Sequence, residues 1–231
     1  MSFLKRIFTG EMGEQSIGDG RENALQALSP KEMEAHLEVD CYGDFQLTGA
    51  VRPSYHLQVI PQQGYRRESF RDRESGAEVP MLTAAASEEI LFELFMDLLG
   101  PLGNIVDMVL ETSHHCKVGE HDDLYREHID MPVLKSVLWD YEDLLTNDGC
   151  SGIAVLNPSQ QQEVQFDEHK ILLVYGNPLD RFEEILESYG VPHRDDVQFI
   201  TEAEHVHSSR DEYSDSFDLF RTRIGAESYR G

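Results

Sequence analysis

At 231 residues and 26.4 kDa, the chain is long enough for one large domain or two small ones. It carries 44 acidic against 19 basic residues, a formal charge of −25, with 40% hydrophobic residues. That composition excludes a collagen, a disulfide scaffold and a wholly disordered chain. The charge argues against nucleic acid as a partner, because a protein that neutralises phosphates needs the opposite field.

The acidity is uneven. Residues 1–80 hold 9 basic and 13 acidic groups, whereas residues 81–231 hold 10 and 31. The three cysteines, Cys41, Cys116 and Cys150, are odd in number and form no C-x-x-C pair. This predicts a reducing, cytoplasmic compartment. No apolar run approaches the ~20 residues of a transmembrane helix.

Four regions follow along the chain. Residues 1–43 read as a flexible lead-in with glycines at 10, 13, 18 and 20, then a short helix opened by the capping box Ser29-Pro30-Lys31-Glu32. Residues 44–100 read as a small antiparallel module. Its strands run through Phe45, Leu47 and Val51, then Tyr55, Leu57 and Val59, and then a hairpin from Tyr65–Phe70 to Val79–Leu82 around Ser75-Gly76. Ser87 then precedes a densely apolar helix, Glu88–Leu99, stopped by Gly100-Pro101.

Residues 101–205 read as strand, helix, two strands, helix and strand. The strands are Ile105–Glu111, Ile153–Leu156, the broken pair Val164–Phe166 and Ile171–Tyr175, and Val197–Ile200. The helices are Pro132–Leu145 and one opened by Asn177-Pro178. This βαββαβ order predicts a ferredoxin-like domain within an α+β fold. The alternative is one mixed sheet that also takes in the strands of 45–83. Residues 206–231 begin with a second capping box, Ser209 to Glu212. Tyr213, Phe217, Phe220 and Ile224 then form a stripe that needs a cover, either the chain's own sheet or a partner.

Two segments carry candidate chemistry. Between Glu111 and His128 lie His114, His115, Cys116, His121 and several carboxylates. Imidazole and thiolate suit zinc and its neighbours, so His114, His115 and His121 are the first candidate ligands for a divalent transition metal. His128 and the pair His205 and His207 are further candidates. No H-E-x-x-H, Walker loop or nucleophile elbow occurs. The second segment is the basic cluster Arg66, Arg67, Phe70 and Arg71, a candidate interaction surface together with Tyr213, Phe217 and Phe220.

The sequence therefore predicts a non-enzymatic binding or regulatory protein, self-associating or taking a protein partner. The alternative is a metal-binding protein or metal-dependent enzyme using the 111–128 loop.

Overall fold

A computed structural model describes residues 28–71, 76–114, 116 and 121–228. The expected lead-in lies outside these residues. The described chain opens with α1 (Pro30–Leu37), where Ser29 and Glu32 form the expected capping box. Short strands follow: β1 (Cys41–Tyr42), β2 (Phe45–Gln46) and β3 (Val51–Pro53). The hairpin β4 (Gly64–Arg71) and β5 (Glu78–Ala85) leads into α2 (Glu88–Leu98). Then come β6 (Ile105–Thr112), β7 (Asp122–Asp130), α3 (Met131–Asp140), α4 (Glu142–Asn147) and β8 (Ser151–Asn157). The chain continues through β9 (Gln162–Phe166), β10 (Leu172–Tyr175), α5 (Asp180–Ser188), β11 (His205–His207), α6 (Asp211–Ile224) and β12 (Glu227–Ser228).

Eight strands form one sheet in the order β12-β7-β6-β8-β9-β10-β5-β4, every neighbour antiparallel. The class is α+β. The order differs from the ferredoxin-like plan in two respects. The C-terminal part of the loop read over 111–128 is strand instead, β7 (Asp122–Asp130) beside β6. Val197–Ile200, read as the last strand, joins no sheet and leads into a 3₁₀ turn at Ile200–Glu202. The 44–100 module is also not separate, since β5 pairs with β10 and continues the main sheet.

Physical reasons account for these differences. Strand β7 buries only Leu124 and Ile129, at positions either side of a bulge, so its alternation is too sparse to read. Val197, Phe199 and Ile200 are buried as a plug on one sheet face, which gives them a strand-like apolar pattern without a ladder. Tyr55, Leu57 and Val59 alternate too, but Tyr55 and Leu57 are exposed in a turn and only Val59 is buried.

Strand alternation divides the sheet into two faces. Leu82, Met108, Leu110, Ile153, Val155, Val164, Phe166, Leu172 and Val174 face the helices. There they meet Phe95 and Leu98 of α2, Leu134 and Leu138 of α3, Leu145 of α4, Phe182 and Leu186 of α5, and Phe217 and Phe220 of α6. Tyr213, Phe217 and Phe220, expected as a candidate interaction surface, are thus core residues under the chain's own sheet. The second capping box does not form either. Ser209 donates its hydroxyl to Asp148 instead, and Arg210 takes the helix N-cap.

The opposite face carries Phe45, Leu47, Val51, Val197 and Phe199 over Ile171, Leu173 and Tyr175. It also holds Glu163 of β9, wholly buried, whose Oε1 accepts from Gln165 Nε2 at 2.5 Å. Its Oε2 has no partner among the described residues. Burial, and then the charge of Glu111, push its pKa up to about 8 despite the Gln165 bond.

Candidate metal centre

The site lies at one end of the sheet, where three connections meet. The first is the turn between β9 and β10. Asp167 Oδ1 accepts the Ile171 N–H at 2.7 Å, and Lys170 closes the turn in the left-handed region at φ 62. This lifts His169 out of the turn, with Asp167 Oδ2 2.9 Å from its Nδ1. The second is β11, paired antiparallel with β3 so that His205 faces Pro53 and His207 faces Val51. Residues two apart on a strand share a side, so the H-x-H spacing sends both rings the same way. The third is the turn 148–150 before β8.

The rings of His169, His205 and His207 converge, with centroids 4.7 to 5.2 Å apart. A ligand nitrogen of each lies within 4.8 Å of the others. Each ring is held from behind. His205 Nδ1 lies 2.8 Å from the Ala203 carbonyl, and His207 Nδ1 lies 2.7 Å from the Gly149 carbonyl. A carbonyl oxygen can only accept, so both Nδ1 atoms carry the proton and both Nε2 atoms carry a lone pair. Burial lowers the basicity of His205 and His207, which favours that neutral form. Burial also pulls on His169, but the charge and hydrogen bond of Asp167 outweigh it, and the net direction is upward. Imidazoles tied through Nδ1 to a carbonyl or carboxylate are the arrangement that orients histidine for a metal.

A second group adjoins the first. His114, just after β6, reaches Asp148 with Nε2 2.8 Å from Oδ2. Asp148 is fully buried, and its Oδ1 accepts from the Cys150 N–H at 3.2 Å and the Ser209 hydroxyl at 2.6 Å. Burial works against the Asp148 anion, yet the hydrogen bonds from His114 and Ser209 hold its pKa below the usual carboxylate range. Ligand atoms of His114, Asp148 and Cys150 also lie within 4.8 Å of one another. Lys170 is buried beside this group, with Nζ donating to the Ser151 carbonyl at 2.9 Å.

The candidate ligands read from sequence therefore separate. His205 and His207 enter the three-histidine group, and His114 enters the second. His115 lies outside the described residues. His121 is half exposed, with Nδ1 3.8 Å from Glu168 Oε2. His128 points to solvent from the β7 bulge, where its N–H donates to Asp107 Oδ1 at 2.8 Å. Sequence reasoning does not single out His169 or Asp148. The available signals are the H-x-H spacing and the polar turn Asp167-Glu-His-Lys170 between two apolar strands.

Two of the three arginines of the basic cluster pair with the chain's own acids. Arg66 pairs with Glu68 and Glu202 and donates to the Val197 carbonyl. Arg67 clasps the buried Glu183 of α5 through two nitrogens. Phe70 meets Tyr175 edge to face at 5.9 Å. Arg71 is exposed at the end of β4. No helix among the described residues is long and apolar enough to cross a membrane. Comparison with protein-family models, curated proteins and solved structures returned no match.

Proposed function

We propose that the chain is a divalent transition-metal-binding protein whose ligands are Nε2 of His169, His205 and His207. The observation that carries this reading is the anchoring of all three Nδ1 atoms by Asp167, Ala203 and Gly149 on rings whose ligand atoms lie within 4.8 Å of one another, which leaves Nε2 as the position for an ion. Three imidazoles suit zinc, with copper and nickel as competitors by affinity. Asp167 and Glu168 on the same turn, with Asp148 nearby, supply a negative surrounding that concentrates cations and repels anionic substrates. All three histidines are partly exposed.

The apolar α2 and the aromatic stripe of α6 both pack into the chain's own core. The test is zinc titration of metal-stripped chain against a chromophoric chelator. Zinc binding is expected to fall by one tight equivalent when His205 and His207 are both replaced by alanine. Failure to compete with the chelator, or unchanged binding in that variant, would overturn the reading.

A further inference from the structure

We infer that His114, Asp148 and Cys150 form a second metal site, distinct in donors and charge from the three-histidine centre. The three side chains come from two places far apart in sequence, the end of β6 and the turn before β8. Their ligand atoms nonetheless lie within 4.8 Å of one another. Nitrogen, oxygen and sulfur together make a donor set for zinc or cobalt, not for calcium or magnesium, which take oxygen alone.

The parts are already oriented. Asp148 Oδ1 is fixed by the Cys150 N–H and the Ser209 hydroxyl, while Oδ2 faces His114. A cation entering there replaces the hydrogen between His114 Nε2 and Asp148 Oδ2. His114 binds as a neutral imidazole, the proton displaced from Nε2 passing to its second nitrogen or to solvent, and the Cys150 thiol gives its proton to solvent. Asp148 retains both bonds at Oδ1. One dication, one carboxylate and one thiolate sum to zero among ion and ligands, beside the buried Lys170, and the aspartate is wholly buried. The three-histidine centre, by contrast, offers imidazole donors alone.

The two centres share one turn. Gly149, between Asp148 and Cys150, offers the carbonyl that holds His207. The second site uses none of the three converging histidines, so the two readings can fail separately.

Cobalt(II) titration of the full reduced chain tests it. Thiolate ligation gives an intense near-ultraviolet sulfur-to-cobalt band, which imidazole ligation lacks. Two equivalents with that band are expected. The band should persist when Cys41 and Cys116 are replaced by serine, and when His205 and His207 are replaced by alanine. It should vanish in Cys150→Ser, with one equivalent remaining. Absence of the band in saturated wild-type chain overturns the second site whatever the variants do. So does a band that survives Cys150→Ser.

Discussion

His207 leans on Gly149: its Nδ1–H meets the Gly149 carbonyl at 2.7 Å, across 58 residues of chain. Gly149 is itself pinned, because its N–H donates to the Ser208 carbonyl at 2.8 Å. A Cβ there would lie 2.3 Å from the Ala50 carbonyl oxygen and 2.7 Å from that of Ser208. Both are backbone atoms, so something must shift. Gly149→Ala is expected to destabilise the fold by about 1–3 kcal/mol and to weaken zinc binding as the His207 anchor moves. Thermal unfolding and chelator competition on the same variant check both effects.

Asp167 holds His169 from behind. Asp167→Asn keeps an acceptor for the Ile171 N–H but removes the charge beside His169 Nδ1. Groups behind a metal-bound histidine are worth about 10–100-fold in affinity. A loss in that range is expected, with an unchanged circular dichroism spectrum. Unaltered zinc affinity would count against His169 as a ligand.

Glu163 predicts a pH dependence with a definite sign. Its pKa in the folded chain, pushed up to about 8, lies above the ordinary 4.5. Between those values the native state holds a proton that the unfolded chain releases. The contribution of Glu163 to stability is therefore fully favourable below about pH 4.5 and is lost as pH rises toward and through 8. Glu163→Gln, neutral and nearly the same shape, should be more stable than wild type at pH 8. The gap should narrow as the pH falls toward the ordinary carboxylate range. Urea midpoints across that interval give the measurement, and each tenfold change in acid strength is worth ~1.4 kcal/mol.

The arginines predict a contrast. Arg67→Ala strands the buried carboxylate of Glu183, and Arg66→Ala removes the cation shared by Glu202 and Glu68. Both variants should unfold at lower temperature. Arg71→Ala, exposed at the strand end, should not. Equal behaviour of all three would contradict the internal role assigned to the first two.

How much of this is legible in the sequence varies by element. The capping box at Ser29 and Glu32, the β4–β5 hairpin and the apolar α2 are readable because each signal is local. The α6 stripe is readable as a stripe, but what covers it is a tertiary fact. Phe220, completely buried, should cost about 3–5 kcal/mol on replacement by alanine. Strand β7 is not legible, since an edge-proximal strand with few buried residues resembles a polar loop. The candidate centre is half legible. His205 and His207 stand out by spacing, whereas His169 sits alone in a turn, and only the pairing of β11 with β3 brings it to them.

That pairing makes the centre a sensor of the whole fold. Its ligands and their anchors come from residues 148–150, 167–169 and 203–207, and these meet only when β8, β9 and β10 have paired and β11 has paired with β3. An ion that binds there binds nothing in the unfolded chain with the same strength. Free metal at roughly 100 times the dissociation constant would add ~2.7 kcal/mol to the native state. The unfolding midpoint of this protein should therefore follow the metal supply of its surroundings, and a chelator should act on it as a mild denaturant.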